Sequence, residues 1–199
     1  MGYKKAVVLS VFFCLLMAGF VLGGEKYQLD GAHSSASFSV KHLVISKTTG
    51  RFHHVIGTFE VDENDLTRST VDVAIKTASI DTDDEKRDGH LKSADFFDVE
   101  NYPEIRFKST RIEKAEDGYV MIGTLTIKDV TKEVSFPFNF NGFIEAMGSK
   151  RFGAEATLTI NRQDFNVKWN RTLDNGGLVV GNEVEISLHI EATKSEGTN

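Results

Sequence analysis

For most of its length the chain alternates apolar and polar residues with a period of two. Ala36, Phe38 and Val40 interleave with Ser37, Ser39 and Lys41, and Val55, Gly57, Phe59 and Val61 share one parity. Val71, Val73 and Ile75 follow the same rule, as do Ile105 and Phe107. So do Tyr119, Met121, Gly123, Leu125 and Ile127, and then Val134, Phe136, Phe138 and Phe140. Phe152, Ala154, Ala156, Leu158 and Ile160 form another such face, and Val184, Ile186, Leu188 and Ile190 the last. Successive side chains on a strand point to opposite faces, so these eight segments read as half-buried antiparallel strands. Eight strands in one small domain must hide two sheet edges, which a closed barrel or a two-sheet sandwich does. The interior of an eight-stranded up-and-down barrel is just wide enough to be filled by side chains or to hold one small ligand.

One stretch breaks the alternation. Thr82-Asp83-Asp84-Glu85 has the form of a capping box, with Lys86 to about Leu91 as a short helix and a further turn near Ser93 to Phe97. Tyr102-Pro103 ends this excursion, and Asp117-Gly118 and Asn175-Gly176-Gly177 mark turns. The fold class is therefore all-β, a closed barrel or a two-sheet sandwich, with a short helix near residues 83–97.

The first residues stand apart. Lys4 and Lys5 precede an almost wholly apolar run from Ala6 to Leu22, and Gly23-Gly24 leads into the polar Glu25-Lys26. A basic start, an apolar run and small residues at a cut site describe a secretory signal peptide, residues 1–23, cut after Gly23. Residues 24–199 then form a single domain. Taking 23 residues from 199 leaves 176, and losing Lys4 and Lys5 leaves 21 basic against 29 acidic side chains, a charge of −8. The only cysteine, Cys14, goes with the leader, so no disulfide framework and no thiol chemistry belong to the mature chain. The expected location is periplasmic or secreted, with no stable membrane insertion after cleavage.

The charge balance argues against a nucleic-acid partner, because phosphate contacts need clustered Lys and Arg. No P-loop, G-x-S-x-G elbow or dinucleotide fingerprint occurs. His33, His42, His53, His54, His90 and His189 form no H-E-x-x-H pattern, and no metal site is expected. Asp81-Thr82-Asp83-Asp84-Glu85 opens like a calcium loop, but Lys86 stands where the sharp turn needs glycine. No single pair among the 29 acidic residues stands out as an acid–base couple. Residue chemistry leans toward binding.

Several blocks carry a family likeness. They include Tyr27-Gln28-Leu29-Asp30, Ala32-His33-Ser34, Phe38-Ser39-Val40-Lys41-His42-Leu43, Gly57-Thr58-Phe59 and Ser79-Ile80-Asp81-Thr82. The most specific runs from Arg87-Asp88-Gly89-His90 to Ala94-Asp95-Phe96-Phe97-Asp98, followed by Tyr102-Pro103-Glu104-Ile105-Arg106-Phe107. Gly123-Thr124-Leu125-Thr126-Ile127, Asn161-Arg162-Gln163-Asp164-Phe165 and Val180-Gly181-Asn182-Glu183-Val184 complete the set. In this order, over about residues 27–192, the chain resembles the YceI-like family of exported, lipocalin-like polyisoprenoid-binding proteins. It departs from the family pattern at Tyr27, where Trp is frequent, and at Asp129 and Asn166, where Gly is common.

The resemblance implies an eight-stranded antiparallel, lipocalin-like barrel whose interior takes an extended isoprenoid or other long-chain lipid, with no other cofactor required. Burying ten carbons of such a chain contributes roughly 8 kcal/mol before ordering costs, so no catalytic group is needed. On this reading Phe38, Val40, Phe59, Val73, Phe107, Leu125, Phe136, Phe138, Phe140, Leu158 and Ile186 face the ligand. Phe96 and Phe97 cover one mouth. Arg87, Asp88 and His90 steer a polar head group, the alternative being a salt-bridged helix pinned to the barrel. The function implied is carriage of a prenyl quinone, a polyprenyl phosphate or a similar lipid. Two other classes stay open: an enzyme acting on an isoprenoid-like or amphiphilic substrate, with Asp88 or Asp164 as acid or base, and an exported stress or interaction protein using the barrel as scaffold. The sequence also leaves a homodimer open.

Overall fold

The computed structural model describes residues 24–174 and 176–196. The expected signal peptide, its cut after Gly23 and Asn175 of the Asn-Gly-Gly turn lie outside the described residues.

Eleven strands are present among the described residues: β1 Glu25–Leu29, β2 Ser35–His42, β3 Ser46–Phe52, β4 Val55–Val61, β5 Thr70–Lys76, β6 Ile80–Asp81, β7 Glu104–Lys114, β8 Tyr119–Ile127, β9 Val130–Ala146, β10 Ser149–Asn161 and β11 Val180–Lys194. All eight alternating segments are strands. Eight strands close a ring in the order β1-β4-β5-β7-β8-β9-β10-β11 and back to β1, each pair antiparallel.

The ring is not a plain up-and-down circuit of the eight alternating segments. Its first member is the five-residue β1, while β2 lies outside it. One edge of β11 serves two strands in turn, pairing Ala192–Lys194 with β1 and Val184–His189 with β2. β3 then pairs with β2, and β6 with β3, as a three-stranded apron. β3 has the sequence Ser-Lys-Thr-Thr-Gly-Arg-Phe, which lacks the apolar alternation of its neighbours.

The ladder between β9 and β10 runs from Ala146↔Ser149 to Phe138↔Ala156 and stops there. Pro137 is the next residue of β9 and has no N–H to continue it. From this point Val130–Pro137 pair only with β8, and Thr157–Asn161 only with β11. A slot lined by Val134–Pro137 and Thr157–Ile160 separates the two strands.

The helix α1 spans Glu85–Lys92. Its N-cap is Asp84, whose carboxylate accepts the Arg87 N–H at 2.9 Å, and not Thr82 as the capping box implies. Asp83 has φ +62°, so the chain turns once more before the helix and brings Asp84 to the capping position. None of the helix's residues is fully buried.

The inward faces form three apolar clusters. Tyr27, Phe59, Val61, Phe152 and Ala192 make one, and Ile112, Met121, Phe136 and Phe138 a second. Phe96, Ile105, Leu125, Ile127, Phe165 and Val167 make the third, at the helix end. Each large apolar side chain withdrawn from water in this way contributes about 1.5–3 kcal/mol.

The positions departing from the family pattern have local explanations. Tyr27, 1% exposed, donates its hydroxyl hydrogen to Glu63 at 2.8 Å, a carboxylate also held by Lys150. Burial and the Glu63 bond push the Tyr27 hydroxyl pKa up, and the Lys150 ammonium holds the Glu63 carboxyl down. Asn166 adopts the left-handed conformation at φ 58°, which asparagine tolerates, and its amide donates to Asp129 at 2.9 Å.

Candidate functional site

Between the three clusters the inward rings do not fully interdigitate. Phe107 and Phe136 approach to 5.5 Å between centroids and Phe140 and Phe152 to 5.8 Å, leaving a cavity of about 200 Å³. Its wall is almost wholly aliphatic and aromatic. The parity that made each strand amphipathic is what assembles it, since every ring strand turns alternate side chains inward.

Ten of the sequence-derived ligand residues line this cavity: Phe38, Phe59, Val73, Phe107, Leu125, Phe136, Phe138, Phe140, Leu158 and Ile186. Val40 does not; it pairs with Val184 and Thr48, beyond the cavity-lining part of β2. Phe96 and Phe97 do not line it either. Phe96 packs with Trp169 at 5.3 Å and His90 at 5.0 Å in the helix-end cluster, and Phe97 meets Phe52 edge-on at 5.9 Å. They pack at the helix end of the barrel.

The three head-group candidates are also directed elsewhere. Arg87 donates through Nε to the Thr82 hydroxyl and through Nη2 to the Thr82 carbonyl, both at 2.7 Å. Asp88 accepts from the Thr82 N–H at 2.9 Å and from its hydroxyl at 2.5 Å. Arg87 and Asp88 therefore meet at Thr82, which ties α1 to the end of β6, with no direct Arg87–Asp88 ion pair among the described residues. His90 Nε2 lies 2.8 Å from Asp95, and its ring packs edge-on against Trp169.

Among the described residues the cavity lining holds one titratable side chain, Glu155. The polar lining residues are Ser37, Ser69, Thr70 and Glu155, and Glu155 directs its carboxylate outward toward His189 at 3.8 Å. Asp164 is exposed and paired with Lys132 at 3.4 Å, away from the lining. A cluster of Asp30, His33 and Glu191 has donor atoms grouped closely enough for a metal. Arg151 already neutralises it, with Nη1 2.9 Å from Asp30 and 2.7 Å from Glu191. The His33 and Arg151 bonds hold the Asp30 pKa down at about 2.

Several lining residues were not singled out from sequence. Phe152 and Met121 share the inward parity of their strands and were legible in principle, whereas Ile112 faces inward only because the bulge between Ser109 and Arg111 shifts the parity of β7. Phe52 on β3 and Leu66, before β5, carry no periodic signal. Arg162 is the other residue missed: 5% exposed, it donates to the carbonyls of Gly181 at 2.8 Å, Val167 at 2.6 Å, Trp169 at 2.8 Å and Val180 at 3.3 Å. A fifth bond goes to Asn182 Oδ1 at 3.4 Å. Desolvation lowers its pKa, and its donors tie Val167 and Trp169 to the start of β11.

The geometry has close parallels. A profile of the YceI-like domain matches residues 27–192. The UPF0312 protein SAS2572 of Staphylococcus aureus is 36% identical over 173 residues, covering 86% of this chain and 99% of its own. The crystal structure of Burkholderia cenocepacia BcnA superposes with a TM-score of 0.71 at 28% identity, covering 83% of this chain and 99% of that one. A polyisoprenoid binding domain from Saccharophagus degradans shares the fold at a TM-score of 0.65 and 15% identity, covering 85% and 98%. With the profile spanning nearly all of the barrel, the chain belongs to the YceI-like domain family.

Proposed function

We propose that this protein is exported and binds a prenyl chain or similar long-chain lipid, with part of the apolar tail inside the barrel. The observation that carries the reading is the cavity itself: about 200 Å³ enclosed by side chains that offer carbon and almost nothing else. Apolar cavities of about 150 Å³ stay dry and admit hydrocarbons such as benzene. Water held in such a space would lack partners, whereas a methylene chain gains about 0.8 kcal/mol per buried CH₂. A volume of this size takes a segment of a tail; a full polyisoprenoid must also displace rings or trail outside. The solved fold-mate described as a polyisoprenoid binding domain supports the same ligand class. Carriage of a prenyl quinone or polyprenyl phosphate, outside the cytoplasm and after loss of residues 1–23, is the role that fits.

The test is organic extraction of the purified protein followed by mass spectrometry, with N-terminal sequencing of the same sample. A stoichiometric long-chain lipid on a chain beginning at Gly24 is the expected result. An empty barrel that also refuses added prenyl lipid would overturn the binding role. A released product chemically altered from an added lipid would indicate an enzyme.

A further inference from the structure

The hairpin between β2 and β3 ends in Leu43-Val44-Ile45, which are 37%, 63% and 88% exposed. Leu43 and Val44 both have positive φ, 51° and 67°, consecutive left-handed residues of the kind that Asn-Gly ordinarily supplies. A β-branched residue is strained there. Three aliphatic side chains thus project from a turn where small polar residues would be both more soluble and less strained. The tip is held in place, with the Leu43 N–H donating to the Val179 carbonyl at 2.9 Å and the Ser46 hydroxyl to the His42 carbonyl at 3.1 Å.

On the hairpin itself the charge runs against the rest of the molecule, while Glu183 and Glu185 lie exposed on the paired strand β11. The chain as a whole is at −6, yet from Gly31 to Phe59 it holds Lys41, Lys47 and Arg51 and no Asp or Glu. Lys41 and Lys47 face each other across the hairpin just behind the tip, and among the described residues neither has a carboxylate within ion-pair distance. The neighbouring loop adds exposed Lys168 and Arg171 against the single carboxylate Asp174.

We propose that this hairpin is a docking element for an anionic lipid bilayer. Leu43, Val44 and Ile45 enter the interface between headgroups and acyl chains, while Lys41 and Lys47 lie at the level of the lipid phosphates. Reversible attachment of this kind combines apolar insertion with basic side chains, and salt weakens the second part. The proposal does not depend on what fills the barrel.

The test uses the chain from Gly24, which contains every strand of the barrel, and vesicles of phosphatidylcholine with or without phosphatidylglycerol. Co-sedimentation with the phosphatidylglycerol vesicles is expected, weakening as NaCl is raised. A triple variant, Leu43→Asn, Val44→Gly and Ile45→Thr, should bind roughly tenfold more weakly or worse. It should melt no lower than the parent, because Asn-Gly suits the turn. Changing Ile144 and Met147 to Ser at the β9–β10 tip should leave binding unchanged. No binding by the parent, undiminished binding by the triple variant, or binding lost instead with the Ile144 and Met147 changes overturns the proposal. So does self-association through Leu43-Val44-Ile45 in the absence of vesicles.

A second inference rests on the unpaired slot between β9 and β10. Phe136 and Leu158 line both this slot and the interior cavity, so the two spaces share a wall. The slot is bounded at one end by the Phe138↔Ala156 pair and at the other by the exposed Lys132–Asp164 ion pair, of a kind worth little in water. We infer that a lipid tail passes sideways through this slot, an inference that rests on the proposed function. Ser135 and Thr159 are exposed on its two lips. Cysteines placed at both, in the otherwise thiol-free chain from Gly24, and joined by a cleavable bis-maleimide, should slow uptake of a fluorescent prenyl probe. Cleavage of the linker should restore it. Equal rates with and without the bridge overturn the slot, whereas absence of uptake even with the linker cut counts against lipid binding itself.

Discussion

Phe107 lies flat against Gly123: a Cβ at residue 123 would sit 2.6 Å from Phe107 Cζ and closer still to the Lys108 carbonyl oxygen. The missing side chain on β8 is what lets a large ring on β7 lie along the barrel wall. Gly123→Ala must push the ring inward or part the strands. It should destabilise the fold by about 1–3 kcal/mol, as overpacking does, and reduce uptake of an apolar probe. Thermal melts with and without the probe would show both effects.

Ala156 lines the cavity between its register partners Phe138 and Leu188. Ala156→Leu adds carbon to a space that already exists, so it should leave the stability unchanged or raise it by about 1 kcal/mol. Probe affinity should fall roughly tenfold if the same space holds the tail. Unchanged affinity at full stability would place the ligand elsewhere.

Asp81 is held at a pKa of about 2, against an ordinary 3.8, chiefly by the Asp83 backbone N–H and then by His53 and Arg51. A carboxyl depressed in the folded state contributes its stabilisation above the unfolded pKa and loses it as pH falls through the folded one. Asp81→Asn should therefore melt below the parent at neutral pH, with the gap closing between about pH 4 and pH 2. A gap that persists at pH 2 would mean that the change acts through packing instead of charge.

Arg162 supplies hydrogen bonds to four carbonyls, of Val167, Trp169, Val180 and Gly181. Arg162→Ala strands these acceptors and should cost about 2–4 kcal/mol in urea denaturation. Limited proteolysis should then cut first within residues 166–182. Arg162→Lys should rescue little, because an ammonium cannot reproduce the planar five-donor fork.

Where one face meets lipid-like carbon and the other meets water, the strand is written in the residues themselves, as in Phe136-Pro137-Phe138-Asn139-Phe140. Every strand of the ring except β1 was legible for that reason. β3 was not, because its polar Ser-Lys-Thr-Thr run is fixed by pairing with β2 and carries no amphipathic stripe. Ten cavity residues follow from parity, whereas Val40 has the right parity at the wrong height, a coordinate that period-two reasoning does not contain. Arg87, Asp88 and His90 have the chemistry of a head-group clamp, but Thr82, Asp95 and Trp169 had already claimed them. Partners so distant or so local are set by the fold, and residue type alone does not name them.

The ladder that joins Tyr27 to Lys194 has one more consequence. Because the opening strand bonds to the final one, a nascent chain still on the ribosome has no means of sealing the circle. Such end-to-end contacts also make folding slow to begin. The polypeptide is thus kept unsealed until β11 has been made.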